Sequence, residues 1–182
     1  EIKKKHNQSD YGIRKNLKIR NIDENLESFE DFFISKKFKK EDGPILVYCS
    51  FKKTARKLKK RLLKVASNKI IKTYLGGSKN NVQISKDFRD GKIDVIVATS
   101  AFGLGVNNKK VKNVIFYGDP YTPEQLYQAF GRGGRQEGES SNCYWFHPKK
   151  TEKAVVRNPL GKARIERRCW AMFQESQKIQ DG

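Results

Sequence analysis

The chain has 182 residues, with 39 Lys and Arg against 20 Asp and Glu, a net charge of +19 and a pI near 9.9. That length suits one domain, or one domain with a short appendage, and 36% apolar residues with 14 glycines can bury a core, which excludes wholesale disorder. No run approaches the ~18 apolar residues of a membrane span and no secretory signal opens the chain, so a membrane-spanning or secreted protein is disfavoured; a start at Glu1 rather than Met reads as a fragment or a processed piece.

In chain order, residues 1–42 contain a predicted strand over 17–22 and a helix that places Leu26, Phe29 and Phe33 on one side. Gly43-Pro44 then introduces Ile45-Leu46-Val47-Tyr48-Cys49, a continuous apolar run that predicts a buried strand. Ala55, Leu58, Leu62 and Val65 recur at helical spacing and form one apolar stripe. Residues 70–74 predict a second strand of this unit, ending at Gly76-Gly77, and Val82, Ile84 and Phe88 a short helix closed by Gly91. Strands are expected at 95–98 and 111–117. Thr122-Pro123-Glu124 opens another helix, with Thr122 as N-cap and Pro123 at its first position. The run 143–146 is a last strand, and 149–182 is a basic, helical extension. This alternation of β and α segments predicts a parallel sheet with helices on both faces over 43–148. In such sheets ligand-facing loops lie at the carboxyl ends of the strands, which puts 50–53, 76–78, 99–107 and Pro120 on one rim.

The charge excess favours polyanionic partners, nucleic acid before anionic membrane, against the plain alternative of a solvated surface. A membrane surface would want a basic amphipathic helix with Trp or Phe on its apolar face. Cys49, Cys143 and Cys169 are widely spaced with no C-x-x-C pair, and neither His6 nor His147 completes a site with them. No disulfide framework or zinc site is encoded, and the cysteines read as buried small hydrophobes of a reduced, intracellular protein.

Two segments carry chemistry. Tyr127-Gln128-Ala129-Phe130-Gly131-Arg132-Gly133-Gly134-Arg135 presents two guanidinium forks three residues apart among glycines, just beyond a helix. Planar forks with several N–H donors suit phosphate oxygens; a flexible basic turn is the plain alternative. Val97-Ala98-Thr99-Ser100-Ala101-Phe102-Gly103-Leu104-Gly105-Val106-Asn107 leaves a strand into hydroxyls and close glycines, where backbone N–H groups can approach phosphate or simply make a tight turn.

These segments resemble motifs V and VI of superfamily 2 helicases, and among them the RecQ family of DNA helicases. Residues 98–107 match the RecQ pattern A-T-x-A-F-G-M-G-I-[DN]. Gln128, Gly131, Arg132, Gly134 and Arg135 occupy the places of Y-x-Q-E-x-G-R-A-G-R-D-G, whereas Ala129 replaces glutamate, Gly133 replaces alanine, and Gln136-Glu137 departs after the second arginine, with Gly138 one residue beyond the pattern's last glycine. DEAD-box RNA helicases carry a histidine-led motif VI that this chain lacks. Val47-Tyr48-Cys49-Ser50 resembles motif IV, although Phe51-Lys52-Lys53 departs from its serine–arginine continuation. Tyr74-Leu75-Gly76-Gly77-Ser78 resembles Y-H-A-G-L without the histidine, and Arg14-Lys15-Asn16-Leu17 the R-P-N-L stretch that joins two helicase lobes. Ile165 to Phe173 resembles the start of the RecQ zinc subdomain, whose four cysteines are missing, so zinc stays open.

The resemblance implies a RecA-like second motor lobe of an ATP-dependent 3′–5′ DNA helicase, serving DNA repair or recombination, nuclear if eukaryotic. Arg135 would be the arginine finger, Arg132 a second γ-phosphate contact, and Gln128 would position the nucleotide or the attacking water. Gly105 and Asn107 would lie between nucleotide and DNA; Ser50, Lys52, Lys53, Gly77, Thr99 and Ser100 would meet a DNA strand. The partners implied are single-stranded DNA and the duplex junction, together with the N-terminal helicase lobe. No G-x-x-x-x-G-K-[ST] and no Asp-Glu box occurs in the chain, so ATP and Mg²⁺ would be held mainly by that other lobe. The isolated chain is expected to be inactive. Eight basic residues and no acid lie between Lys52 and Lys64, with Lys53, Lys57, Lys60 and Lys64 on one helix face, either solvated or facing DNA. Trp145 and Trp170 are aromatic candidates for stacking on bases. A non-catalytic, basic nucleic-acid-binding module and an RNA-directed motor are the alternatives.

Overall fold

The strand Ile45–Cys49 is buried at all five positions, because its two faces meet two different sets of helices. In a computed structural model the described residues are 14, 16–20, 28–39, 42–103, 111–135, 138–147, 167–169, 171 and 174. They form six strands: β1 (Leu17–Arg20), β2 (Ile45–Cys49), β3 (Ile71–Tyr74), β4 (Val95–Ala98), β5 (Asn113–Tyr117) and β6 (Ser141–Phe146). The order is β1-β6-β5-β2-β4-β3 and every pairing is parallel. Four helices connect them: α1 (Phe29–Ser35), α2 (Lys52–Val65), α3 (Asn81–Arg89) and α4 (Pro123–Phe130). Successive strand residues point to opposite faces, so Leu46 and Tyr48 pack with α3 and α4, while Ile45, Val47 and Cys49 pack with α1 and α2. The fold is the α/β parallel sheet with helices on both faces that the alternation predicts, in the RecA-like form that the family resemblance implies.

The local signals explain most boundaries. Ser28 caps α1 by accepting from Asp31 N, and Thr122 caps α4 by accepting from Gln125 N at 3.3 Å, with Pro123 at the first turn. Two strands differ from the apolar reading. β6 begins at Ser141, two residues earlier than expected, because Ser141 and Asn142 pair with Leu17 and Lys18 of β1 and the Ser141 hydroxyl donates to Lys112 O. β5 begins at Asn113 rather than Val111, whose carbonyl instead accepts from Gly134 N at 3.0 Å. Of the front segment, Leu26 and residues 21–22 lie outside the described residues, as do Trp170 and nearly all of the basic extension. Within it, Cys169 is buried in the same cluster as Cys143, and Arg168 sits 3.5 Å from Glu124 at the start of α4.

All three cysteines are free and buried, consistent with small apolar fillers. Burial pushes the Cys49 thiol well up and the Cys143 thiol up to about 12, so neither is a nucleophile at neutral pH. Among the described residues no helix is long and apolar enough to cross a membrane.

The α1–α2 side is held by an aromatic cluster. Phe32 is fully buried, with ring centroids 5.7 Å from Phe29, 5.3 Å from Tyr144 and 5.8 Å from Phe146. Phe32→Ala is expected to cost about 3–5 kcal/mol in urea unfolding, as large-to-small changes of buried aromatics do; a loss under 1 kcal/mol would show that this side of the sheet is not the core.

Candidate functional site

α4 follows β5, so it runs antiparallel to the sheet and returns the chain from the strand ends to the strand starts. The arginine loop therefore lies behind the helix, where Gly134 N bonds Val111 O just ahead of β5. The last carbonyls of a helix lack intrahelical partners and carry the negative end of its dipole, which favours cations there. Here the N–H groups of Gly131, Arg132 and Gly133 take the carbonyls of Tyr127, Ala129 and Phe130, and Arg14 takes those of the loop that follows. Its guanidinium donates to Gly131 O at 3.0 Å, Gly133 O at 2.6 Å and Gly134 O at 2.9 Å. Asn16 Nδ2 adds bonds to Gly134 O (2.7 Å) and Glu139 O (2.8 Å), and Arg135 Nε donates to Gly131 O at 3.1 Å. The stretch that resembles a lobe linker is thus the frame of the arginine loop.

Glycine is required at two loop positions for different reasons. Gly134 has φ +55°, a left-handed conformation that a side chain disfavours. Gly133 is a question of space: a Cβ there would lie 2.7 Å from Ser141 Cβ, closer still to its Oγ, and 3.0 Å from Val114 Cγ2. The departure from the family's alanine at this position is matched by a side chain that fills the space.

Arg132 turns toward the sheet, its charge near the Tyr48 phenol; together with Ser100, Gln125, Gln128 and Ala129 these residues line a small cleft. Burial pushes the Tyr48 phenol well above its usual range, opposed in part by the charges of Arg132 and Arg135, so it stays neutral. Arg135 faces a wider cleft with Arg14, Asn16, Gly134, Gly138, Glu139 and Ser140, where Glu139 is 3.7 Å from Lys112. Its pKa is lowered first by burial, then by the like charges of Arg132 and Arg14. A guanidinium starts so high that Arg135 stays charged despite this, and an anion set among the three arginines would relieve their repulsion.

The other candidate residues follow the carboxyl ends of the strands, and Ser100 among them also lines the Arg132 cleft. Ser50, Lys52 and Lys53 follow β2, Gly77 follows β3, and Thr99 and Ser100 follow β4. Lys52 and Lys53 are exposed, and a Cβ at Gly76 would lie 3.9 Å from Lys52 Cε and 3.3 Å from Ala101 Cβ, so the three loops converge. Ser50 donates its hydroxyl to Asp119 O at 2.7 Å, and Gly77 has φ +79° with open space beside it. Thr99 is buried, its N–H donating to Tyr74 O, whereas Ser100 is exposed at the head of a 3-10 turn, Ser100–Gly103. Gly105 and Asn107 lie outside the described residues. On α2, Lys53, Lys57, Lys60 and Lys64 are exposed, while Arg61 is spent on Glu30 and on Tyr117 Oη at 3.2 Å. Trp145 donates its indole N–H to Gly118 O at 2.8 Å and packs against the core. Among the described residues no three His, Cys, Asp or Glu side chains are grouped to hold a metal ion.

Sequence reasoning assigned no role to Tyr48 or Arg14. Tyr48 sits in an apolar run and reads as core; Arg14 lies more than a hundred residues from the carbonyls it holds.

A parallel RecA-like sheet with a paired-arginine loop behind one helix and basic, hydroxyl-bearing loops on its rim defines a motor-type lobe. The chain belongs to the helicase conserved C-terminal domain family, whose model matches residues 17–137. The bifunctional 3′-5′ exonuclease/ATP-dependent helicase WRN of Mus musculus is 35% identical over 105 residues, covering 57% of this chain and 7% of its own length. The probable ATP-dependent DNA helicase RecS of Bacillus subtilis is 36% identical over 95 residues, covering 51% and 19%. A mimivirus protein whose name gives it as an ATP-dependent RNA helicase is 37% identical over 105 residues, covering 57% and 19%. The matched part of the chain thus spans less than a fifth of the length of such relatives. The C-terminal domain of the DEAD-box protein Dbp5 shares the fold with a TM-score of 0.64 at 19% identity, over 87% of this chain and 86% of that one. The RecQ resemblance read from motifs V and VI holds.

Gly133→Ala, which restores the family's residue, is expected to destabilise the chain by about 1–3 kcal/mol through overpacking. In Gly133→Ala/Ser141→Gly the two costs should sum to less than the singles, read as a lowered total in a double-mutant cycle of urea midpoints. Strictly additive losses would mean that Ser141 does not fill the space.

Proposed function

We propose that this chain is the second motor lobe of an ATP-dependent 3′–5′ DNA helicase, acting inside the cell, in the nucleus of a eukaryote, in DNA repair or recombination. The observation that carries the reading is the pair Arg132 and Arg135 on a loop whose carbonyls Arg14 holds, with three guanidinium groups close together. Such a cluster suits the oxygens of a transferring phosphoryl group, where catalysis is positioning and charge stabilisation. Arg135 acts as the arginine finger, Arg132 reports phosphate occupancy to the sheet through Tyr48, and Gln128 orients the nucleotide or the water. Gly105 and Asn107 are assigned to the coupling of nucleotide and DNA by their motif V positions alone. The phosphate cradle and the Mg²⁺-binding Asp-Glu box, motifs that do not occur in this sequence, are assigned to an N-terminal lobe, which would hold ATP and Mg²⁺ for the most part. Ser50, Lys52, Lys53, Gly77, Thr99 and Ser100 form the DNA side, Ser50 and Thr99 by holding the loops and the others by direct contact.

A second reading, an RNA-directed motor, is favoured by the name of the mimivirus relative. Stimulation of ATP hydrolysis by DNA against RNA separates the two.

In a protein that joins this chain to its P-loop lobe, Arg135→Ala should lower the rate of nucleic-acid-stimulated ATP hydrolysis about 10³-fold or more, and the isolated chain should hydrolyse no ATP. A fall of less than tenfold removes Arg135 from the finger role. Titration of single-stranded DNA at rising salt should give a slope of log affinity on log salt of about −2 or steeper, since each phosphate contact contributes ~0.7. A flat dependence would end the electrostatic account of binding.

A further inference from the structure

Phe51 and Tyr121 are large aromatic side chains left 38% and 55% exposed. They stand on the loops after β2 and β5, neighbouring strands, with ring centroids 5.4 Å apart and planes at 70°. Both are carried on fixed backbone. Ser50 Oγ ties the two loops together through Asp119 O at 2.7 Å, Tyr121 N donates to Gln125 Oε1 at 2.7 Å, and Phe51 O accepts the Ala55 N–H at 3.0 Å. An edge-to-face pair engages only one ring face between its members, so flat aromatic surface stays open to a third ring.

The charge around the pair says what that third ring is attached to. Phe51 is the N-cap of α2, whose first turn holds the exposed Lys52 and Lys53 and no acidic residue. Lysines at a helix N-terminus oppose the dipole and cost stability in the free protein, unless an anion is placed there. A protein-docking face would want a broad apolar patch, whereas here two rings stand beside concentrated positive charge. The chain's departure from the serine–arginine pattern at Phe51-Lys52 supplies both the ring and the cation.

We propose that Phe51 and Tyr121 form a stacking step for unpaired bases of a single-stranded nucleic acid, whose phosphates Lys52 and Lys53 meet. The step extends the rim of Gly77 and Ser100 sideways across β2 to β5, so a strand leaving the rim is held by its bases as well as its backbone. This inference rests on the nucleic-acid reading above.

The test titrates the 182-residue chain with a single-stranded oligonucleotide and with the same strand made abasic. Tyr121→Ala and Phe51→Ala should each weaken binding of the normal strand about 5- to 100-fold, as loss of one stacked base does, and change the abasic strand less than about twofold. Phe51→Leu and Tyr121→Leu keep apolar volume without a ring and should behave like the alanine variants; Tyr121→Trp should retain binding. Equal losses on both strands, or none on either, overturn the stacking step while leaving the backbone-binding reading intact. Failure of the unaltered chain to bind either strand at low salt overturns both. If the leucine variants bind the normal strand as the unaltered chain does, the rings serve another partner and the proposal fails.

Discussion

Arg14 is the constraint on which the site depends. Four carbonyl-rich residues at the end of α4 must turn sharply beside the start of β5, and their oxygens point together. One guanidinium answers three of them at once. Charge-assisted bonds of this kind contribute about 1.5–3 kcal/mol each when well made. Without the cation the glycines would lose their reason to hold one geometry, and Arg132 and Arg135 would lose their fixed origin. Because Arg14 precedes β1, the attitude of the arginine loop is coupled to the segment entering the sheet.

The site has two ends. The lysine and hydroxyl group occupies the carboxyl ends of β2, β3 and β4, while the arginine loop sits near the starts of β5 and β6, because α4 runs back along the sheet. Tyr48 spans part of that separation. Its side chain lies on the α3–α4 face, in the cleft that Arg132 also lines, in the strand that leads directly into Ser50 and the rim. A buried neutral phenol can sit beside a guanidinium without adding a charge that would have to be solvated.

Two departures from the helicase pattern have local physical causes or consequences. Gly133 stands where alanine is usual because Ser141 occupies the volume, and Ser141 is held there by pairing with β1 and by its bond to Lys112 O. Phe51 stands where a polar residue is usual and pairs with Tyr121 across the β2–β5 rim. Neither departure disturbs Gly131, Arg132, Gly134 or Arg135.

Much of the fold was legible in order along the chain. Apolar runs located β2 and β4 to the residue, Thr122-Pro123 marked the start of α4, and the β/α alternation implied a parallel sheet covered on both sides. These signals are local: they depend on periodicity, caps and turn residues within a few positions. The buried polar start of β6 was not legible, because Ser141 and Asn142 join the sheet only through their pairing with β1. The motif arginines were identifiable by type and spacing, yet the rule that ligands meet the carboxyl ends of strands says nothing of a loop behind a helix. Residues such as Arg14, Tyr48 and Tyr121 owe their roles to neighbours distant in the chain. The amino-acid sequence by itself determined the architecture, the family and the identity of the charged groups. Only the tertiary structure decided which carbonyls, phenol and rings those groups would face, because contacts between distant segments are set by packing rather than by spacing.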